Sequence, residues 1–222
     1  IEHLQELEQL MLNEIYTLNL KFMNYFKNYD FHNLYKELLN FCTTDLSAFY
    51  FDIRKDILYC DDKESEKRKS TLVLLNSILN SLLKWFAPIL SFTSEEIYQL
   101  ISKKNKSIHL EKFIDFPKNF KNDELNSKWN EILKIRDICN LSIEEKRGSK
   151  EIGSSLEAAL VVKLNEENLN VVEGIDLSEL CITSSVKIEN NKKDTIEVLT
   201  NKAEGEKCSV CWKISKKPCS RH

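Results

Sequence analysis

Glycine and proline are scarce in this chain, with 4 and 3 residues respectively among 222. Because both residues interrupt regular secondary structure, their scarcity favours long helices. The chain also lacks any run of about 18 apolar residues, so no membrane-spanning helix is predicted. Its opening residues, Ile1-Glu-His-Leu-Gln-Glu, are acidic and amphipathic, unlike a secretory signal. We therefore expect a cytoplasmic protein with no membrane contact.

The net charge and the cysteines limit the possible functions further. A formal charge of −3 gives no overall basic surface, so any contact with nucleic acid must come from local patches. Four of the seven cysteines lie in apolar neighbourhoods and are predicted to be small core residues. These four are Cys42, Cys60, Cys139 and Cys181. The remaining three cluster near residue 219, and this usage is typical of a reducing compartment.

Catalytic motifs are missing from the sequence. There is no glycine-rich phosphate loop, no combination of Ser, His and Asp in a suitable context, and no strand–turn–helix nucleophile site. His3, His32 and His109 are isolated from other reactive groups. We predict no catalytic residue in this chain. Because it does not begin with methionine and opens within a helical pattern, we expect it to be part of a longer protein.

The chain is organised around one apolar stretch, residues 41–56. Apolar residues there and on either side recur at helical spacing: Leu38, Leu39, Cys42, Leu46, Phe49, Ile53 and Ile57. We therefore predict a central helix over residues 31–59, with Asp30 as its N-cap. Further helices are predicted at residues 1–26, from about 69 to 86, 93–101, and 122 or 123 to 147, with Gly148 as the last C-cap. Residues 103–121 are predicted to form a loop that wraps the bundle.

The composition changes after residue 150. Residues 156–164 and 195–200 are predicted strands, and residues 175–188 contain a short helix or turn and then a strand. The predicted fold is mainly α: a helical bundle followed by a small α+β unit and a C-terminal zinc knuckle. The predicted domains are residues 1–150, 151–203 and 204–222.

The strongest local motif is the tail, which contains Cys-x2-Cys, seven further residues and then Cys-x2-His. Two such pairs on tight turns can place thiolate and imidazole at the corners of a tetrahedron, which suits zinc. The predicted ligands are Cys208, Cys211, Cys219 and His222. Four protein ligands leave no open position, so the zinc would be structural. One alternative is a fourth ligand beyond residue 222 in place of His222. The other is three surface thiols on a frayed tail.

The same tail carries an aromatic ring among cations, which suits a single-stranded RNA contact by stacking and phosphate attraction. The predicted RNA-binding residues here are Trp212, Lys213, Lys216, Lys217 and Arg221. Alternatively, Trp212 covers the metal site as a small hydrophobic cap. A second basic cluster, with Arg147 and Lys150, follows the last long helix. It either grips phosphates or is a solvated helix end.

Several stretches together resemble the C-terminal region of bacterial isoleucyl-tRNA synthetases, a class I family, over nearly the whole chain. Residues 29–32, 41–56 and 85–96 are similar to its anticodon-binding helical domain, parts of which valine and leucine enzymes share. Gly153-Ser-Ser-Leu-Glu-Ala-Ala159 and Lys202-Ala-Glu-Gly-Glu-Lys-Cys-Ser-Val-Cys-Trp212 resemble the isoleucine family in particular, including its zinc module. The family commonly has a second Cys-x2-Cys, whereas here His222 takes the fourth place.

The resemblance implies a division of labour. Upstream catalytic and editing domains would use ATP and Mg²⁺ to charge tRNA(Ile), while the bundle and the zinc module hold the anticodon stem and loop. We therefore expect a monomeric tRNA(Ile)-binding region with a structural zinc as its cofactor. One alternative is a non-catalytic protein-interaction domain whose tail is cross-linked by a structural zinc. Another is the same region of a valine-type synthetase.

Overall fold

The computed structural model describes residues 4–102, 106–219 and 221. The chain forms two compact units. The first unit comprises Ile1–Asp52 and Lys63–Asp123, and the second comprises Ile53–Asp62 and Glu124–His222. The predicted boundaries at residues 150 and 203 stay a prediction. Within the described residues, no helix is both long enough and apolar enough to cross a membrane.

The structure is mainly helical and has a small α+β part toward its end, which confirms the predicted fold class. The α-helices are α1 (Glu6–Lys27), α2 (Phe31–Asn40), α3 (Asp52–Cys60), α4 (Glu66–Phe86), α5 (Ser91–Ile101), α6 (Asp123–Gly148), α7 (Glu166–Val171) and α8 (Leu177–Leu180). The strands are β1 (Ala158–Leu164), β2 (Ser185–Asn190), β3 (Glu197–Lys202), β4 (Glu206–Lys207) and β5 (Ile214–Ser215).

The central stretch is helical as predicted, but between α2 and α3 it takes a π-helical form over Phe41–Phe51. In this form each amide bonds to the carbonyl five residues earlier, which widens the turn. Phe41, Leu46 and Tyr50 are consequently buried, at spacings of five and four. Of the predicted apolar stripe, Leu38, Leu46, Ile53 and Ile57 are buried. Cys42 and Phe49 are only half-buried and Leu39 is exposed, so the prediction is wrong at these three positions.

Polar anchors hold the segment after α5 in the first unit. The Asn19 side chain accepts a hydrogen bond from Trp85 Nε1 (3.0 Å) and donates one to the carbonyl oxygen of Ile114 (2.8 Å). Trp85 is 1% exposed, so its indole N–H is buried and needs a hydrogen-bond acceptor within the protein. The side-chain oxygen of Asn19 is that acceptor. The Glu95 carboxylate accepts from the backbone amide of Ile108 at 2.9 Å. These bonds fasten the described part of the predicted wrapping loop, residues 106–121, to the helices. Residues 103–105 of that prediction lie outside the described residues.

The end of α6 corrects the predicted C-cap. Lys150, not Gly148, adopts the left-handed conformation, with φ 60°. The amide of Lys150 donates to the carbonyl of Arg147, and that of Glu151 to the carbonyl of Lys146. This is the bonding pattern of a Schellman motif, in which the left-handed residue is usually glycine. The chain therefore carries a strained lysine, Lys150, at the left-handed position of this motif, which glycine usually occupies.

A three-stranded sheet organises the second unit, with the strand order β2-β1-β3. Strand β1 pairs in parallel with β2 and antiparallel with β3, and Leu160 faces Val186 on one side and Thr200 on the other. Helix α6 packs here: the hydroxyls of Ser142 and Thr200 lie 2.7 Å apart, and Arg136 Nε donates to the carbonyl of Leu180 at 3.0 Å. Strands β4 and β5 form a separate antiparallel ribbon.

Candidate metal centre and nucleic-acid interface

Three of the four predicted metal ligands meet in the structure. The Sγ atoms of Cys208, Cys211 and Cys219 all lie within 4.8 Å of one another, and those of Cys211 and Cys219 are 3.7 Å apart. Thiolates bound tetrahedrally to zinc at about 2.3 Å would be about 3.8 Å apart. The cluster therefore fits a metal of that size and softness. The predicted fourth ligand, His222, lies outside the described residues.

The ribbon of β4 and β5 brings the cysteines together. Gly205 precedes β4 with φ 127°, and a Cβ there would lie 2.3 Å from the backbone carbonyl of Ser215 in β5. Only glycine permits this approach. The strands then hold the loop between them, in which Cys208 donates its amide to the carbonyl of Lys213 (2.9 Å) and accepts the Trp212 amide on its own carbonyl (3.1 Å). Cys208 and Cys211 thus sit on one tight turn.

Burial governs the protonation of the central thiol. Cys211 is 3% exposed, and this burial, together with hydrogen bonds between its thiol and those of Cys219 and Cys208, raises its pKa to about 11. A hydrogen bond with the Lys213 backbone acts in the opposite direction. The thiol is therefore protonated near neutral pH in the metal-free state. A bound divalent cation reverses this preference, because a coordinated thiol loses its proton.

Trp212 stands at the edge of this knuckle. It adopts φ 61° and is 58% exposed, and the Nζ of Lys207 lies 5.3 Å from the centroid of its ring. Such exposure favours the stacking hypothesis over a hydrophobic cap, because a cap would be buried. Lys207 was not among the predicted contacts. In the sequence it stood out only as one of the cations of the basic tail, and the structure places its Nζ over the Trp212 ring.

A cationic groove of about 930 Å³ runs beside the knuckle. Its charged lining consists of Lys207, Lys213, Lys216, Lys217, Arg221 and Glu206. Cations outnumber carboxylates there, so the groove attracts polyanions. Two of the predicted contacts also have protein partners: Lys216 pairs with Glu204, and Arg221 pairs with Asp61. The predicted cations of the tail therefore line one groove, and one of them, Arg221, is also paired with a carboxylate of the second unit.

The second predicted cluster lies at the end of α6. Arg147 and Lys150 line another groove, of about 490 Å³. Arg147 forms an ion pair with Glu144, one turn earlier, and Lys146 pairs with Glu151. These carboxylates offset much of the local positive charge. The α6 end is therefore a weaker anion site than the tail groove.

An exposed indole and a cationic groove on a cysteine knuckle are features that suit a nucleic-acid-binding protein. Residues 8–163 match the family described as the anticodon-binding domain of tRNA ligase. The chain belongs to this family, which confirms the resemblance seen in the sequence.

The chain is also similar to several ligases along its length. It is 62% identical to the isoleucine–tRNA ligase of Pelagibacter ubique (strain HTCC1062), over 100% of this chain and 24% of the relative. It is 36% identical to the isoleucine–tRNA ligase of Bartonella quintana (strain Toulouse) and 37% to that of Agrobacterium fabrum (strain C58 / ATCC 33970). Each of these two alignments covers 96% of this chain and 23% of the relative. The chain spans about a quarter of the length of these relatives.

Proposed function

We propose that this chain binds the anticodon stem-loop of tRNA(Ile) and serves as the C-terminal region of an isoleucine–tRNA ligase. Charging of the tRNA, with its need for ATP and Mg²⁺, and editing would occur in other domains of the same polypeptide. We further propose that the protein is a cytoplasmic monomer. The observation that carries the proposal is the cationic groove beside the exposed Trp212, in a chain of the anticodon-binding family.

Cys208, Cys211 and Cys219 would hold a zinc ion, with His222 as the expected fourth ligand. The zinc supplies structural cross-linking and no reaction chemistry, because four protein ligands complete its coordination. The three Sγ atoms within 4.8 Å support this assignment. With the cysteines held, the turn from Cys208 to Lys213 presents Trp212 in a fixed orientation.

Recognition would then combine two kinds of contact. The Trp212 ring stacks on an unpaired base of the anticodon loop, while Lys207 on the same ring adds a positive charge. Lys213, Lys216 and Lys217 meet phosphates along the groove, and Arg147 and Lys150 contribute more weakly at the α6 end. Phosphate contacts set the affinity and its salt dependence, whereas stacking requires an unpaired base.

Titration with transcripts of tRNA(Ile) and tRNA(Val) at two salt concentrations tests this function. We expect tRNA(Ile) to bind more tightly and its affinity to fall steeply with salt. Stronger binding of tRNA(Val) would indicate a valine-type region. The absence of salt-dependent binding to either transcript would contradict RNA binding and favour a protein-interaction domain. Elemental analysis of the same preparation tests the zinc site, with one zinc per chain expected.

A further inference from the structure

The end of helix α3 contacts the cysteine knuckle through an ion pair. Arg221 lies two residues after Cys219, and its Nε and a terminal guanidinium nitrogen lie 2.8 Å and 2.7 Å from Oδ1 of Asp61. The two side chains are 25% and 13% exposed. Such a charge-assisted bond, shielded from much of the solvent, is stronger than a surface ion pair.

The preceding residue contacts the other half of the knuckle. Cys60 donates its thiol hydrogen to the carbonyl oxygen of Val210 at 3.9 Å, and Val210 lies between the ligands Cys208 and Cys211. Two successive residues of one helix end therefore meet both cysteine-bearing segments, the one at 208–211 and the one at 219–221. A helix end that served only to terminate α3 would need neither contact.

Helix α3 is itself held in place by buried side chains and by an ion pair. Ile53 and Ile57 are 4% and 1% exposed, and the buried Arg54 pairs with Glu179. Asp61 directly follows α3, and its amide still bonds to the carbonyl of Ile57 in the last turn of the helix. A carboxylate at a helix C-terminus is unfavourable because that end carries partial negative charge. The guanidinium of Arg221 compensates for this charge, which links the placement of Asp61 to the tail.

We propose that Asp61 is a positioning residue for RNA recognition: through Arg221 it fastens the metal knuckle to the end of α3. The knuckle is a short ribbon with little core of its own, and the Ile214 amide of β5 donates to Ser184 Oγ at 2.7 Å. The Asp61–Arg221 pair adds a second anchor, which fixes where Trp212 and the cationic groove lie within the second unit. The role assigned to Asp61 is indirect, because it acts through Arg221. The inference rests on the proposed function, since it concerns the same surface.

The test uses the complete zinc-loaded protein and four variants. Asp61→Asn and Arg221→Gln each remove the ion pair, and the exchange of Asp61→Arg with Arg221→Asp restores it in reverse. Asp194→Asn, at an exposed position of the second unit, is the matched control for the loss of one carboxylate. The readouts are hydrogen exchange at amides 206–219, the rate of zinc transfer to a coloured chelator, and the affinity for a tRNA(Ile) transcript.

Each single variant of the ion pair should raise the rates of hydrogen exchange at amides 206–219 and of zinc transfer about tenfold. A tenfold change corresponds to about 1.4 kcal/mol. In each single variant, the affinity for the tRNA(Ile) transcript should also fall about tenfold. The charge-reversed double variant should recover much of this loss, and the Asp194→Asn control should leave all three readouts unchanged. Unaltered hydrogen exchange in Asp61→Asn would overturn the inference. Equal hydrogen exchange in the single variants and in the charge-reversed double variant would overturn it too. Failure of the wild-type protein to bind zinc or tRNA would contradict the proposed function instead. Hydrogen exchange would still decide whether Asp61 anchors the knuckle to the end of α3.

Discussion

The Nζ of Lys207 lies 5.3 Å from the centroid of the Trp212 ring, so a lysine that was not among the predicted RNA-binding residues lies over the ring of one that was. The lysine belongs to β4, and the tryptophan follows Cys211 in a left-handed turn. Because the two side chains share a surface, substitutions at either position should affect the same binding event.

Trp212→Ala should weaken tRNA binding by about 1–3 kcal/mol, the usual loss for a base that stacks on an aromatic ring. Trp212→Phe should recover part of this loss, since it keeps a smaller ring. Lys207→Ala should cost less, about 0.5–1 kcal/mol for a cation–π contact at an exposed site, and should reduce the salt dependence. The measurement is fluorescence titration at several salt concentrations. Lys192→Ala, at another exposed lysine, is the control, and equal effects at positions 192 and 207 would rule out a specific role for Lys207.

Gly205→Ala should abolish the metal site. A Cβ at this position would lie 2.3 Å from backbone atoms of Ser215, so β4 and β5 would have to separate. Gly174→Ala is the matched control: Gly174 also has a positive φ, 79°, but an added Cβ there would meet nothing within 4 Å. The control bears backbone strain of about 1 kcal/mol without a clash. Zinc per chain, measured by elemental analysis, should fall only in the Gly205 variant, and full zinc retention there would show that the ribbon is dispensable.

Lys150→Gly should stabilise the second unit by up to about 1 kcal/mol, because glycine adopts the left-handed conformation at the Schellman position without steric cost. Lys150→Ala removes the same charge but keeps the strain, so it should show no such gain. Urea unfolding of both variants measures the difference. Equal stability of the two would mean that the conformation of Lys150 carries no strain.

The same pair of variants isolates the charge of Lys150. Any loss of tRNA affinity common to both would assign that loss to the missing ammonium group, independently of stability.

Apolar periodicity was sufficient to predict much of the fold. The stripes of α1, α4 and α6, and the strand pattern around β1, identified these elements because burial and local geometry agree there. The π-helical segment was missed, since its spacing of five and four, from Phe41 to Leu46 to Tyr50, is close to that of an ordinary helix. Gly148 was preferred as a cap because a lysine rarely adopts a positive φ.

The candidate site could be predicted only in part. The cysteine cluster could be predicted from the close spacing of Cys208 and Cys211, because the local sequence determines a tight turn. The partnership of Asp61 with Arg221 joins residues 160 positions apart, which no local pattern reveals. Cys139 and Cys181 are buried as predicted, whereas Cys42 and Cys60, which were also predicted to be core residues, are only half-buried.

Arg54→Ala should lower the free energy of unfolding by about 3–5 kcal/mol, the usual cost of breaking a buried ion pair. The Arg54 side chain is 3% exposed and that of its partner Glu179 is 20% exposed. In a double-mutant cycle with Glu179→Ala, the combined loss should be smaller than the sum, because the second substitution removes a charge whose partner is already gone. Lys134→Ala is the control: it breaks a pair with Glu131 whose side chains are 66% and 47% exposed, and it should cost below about 1 kcal/mol. Urea unfolding supplies all four values, and additive losses at positions 54 and 179 would show that the pair contributes no coupling to the stability of the second unit.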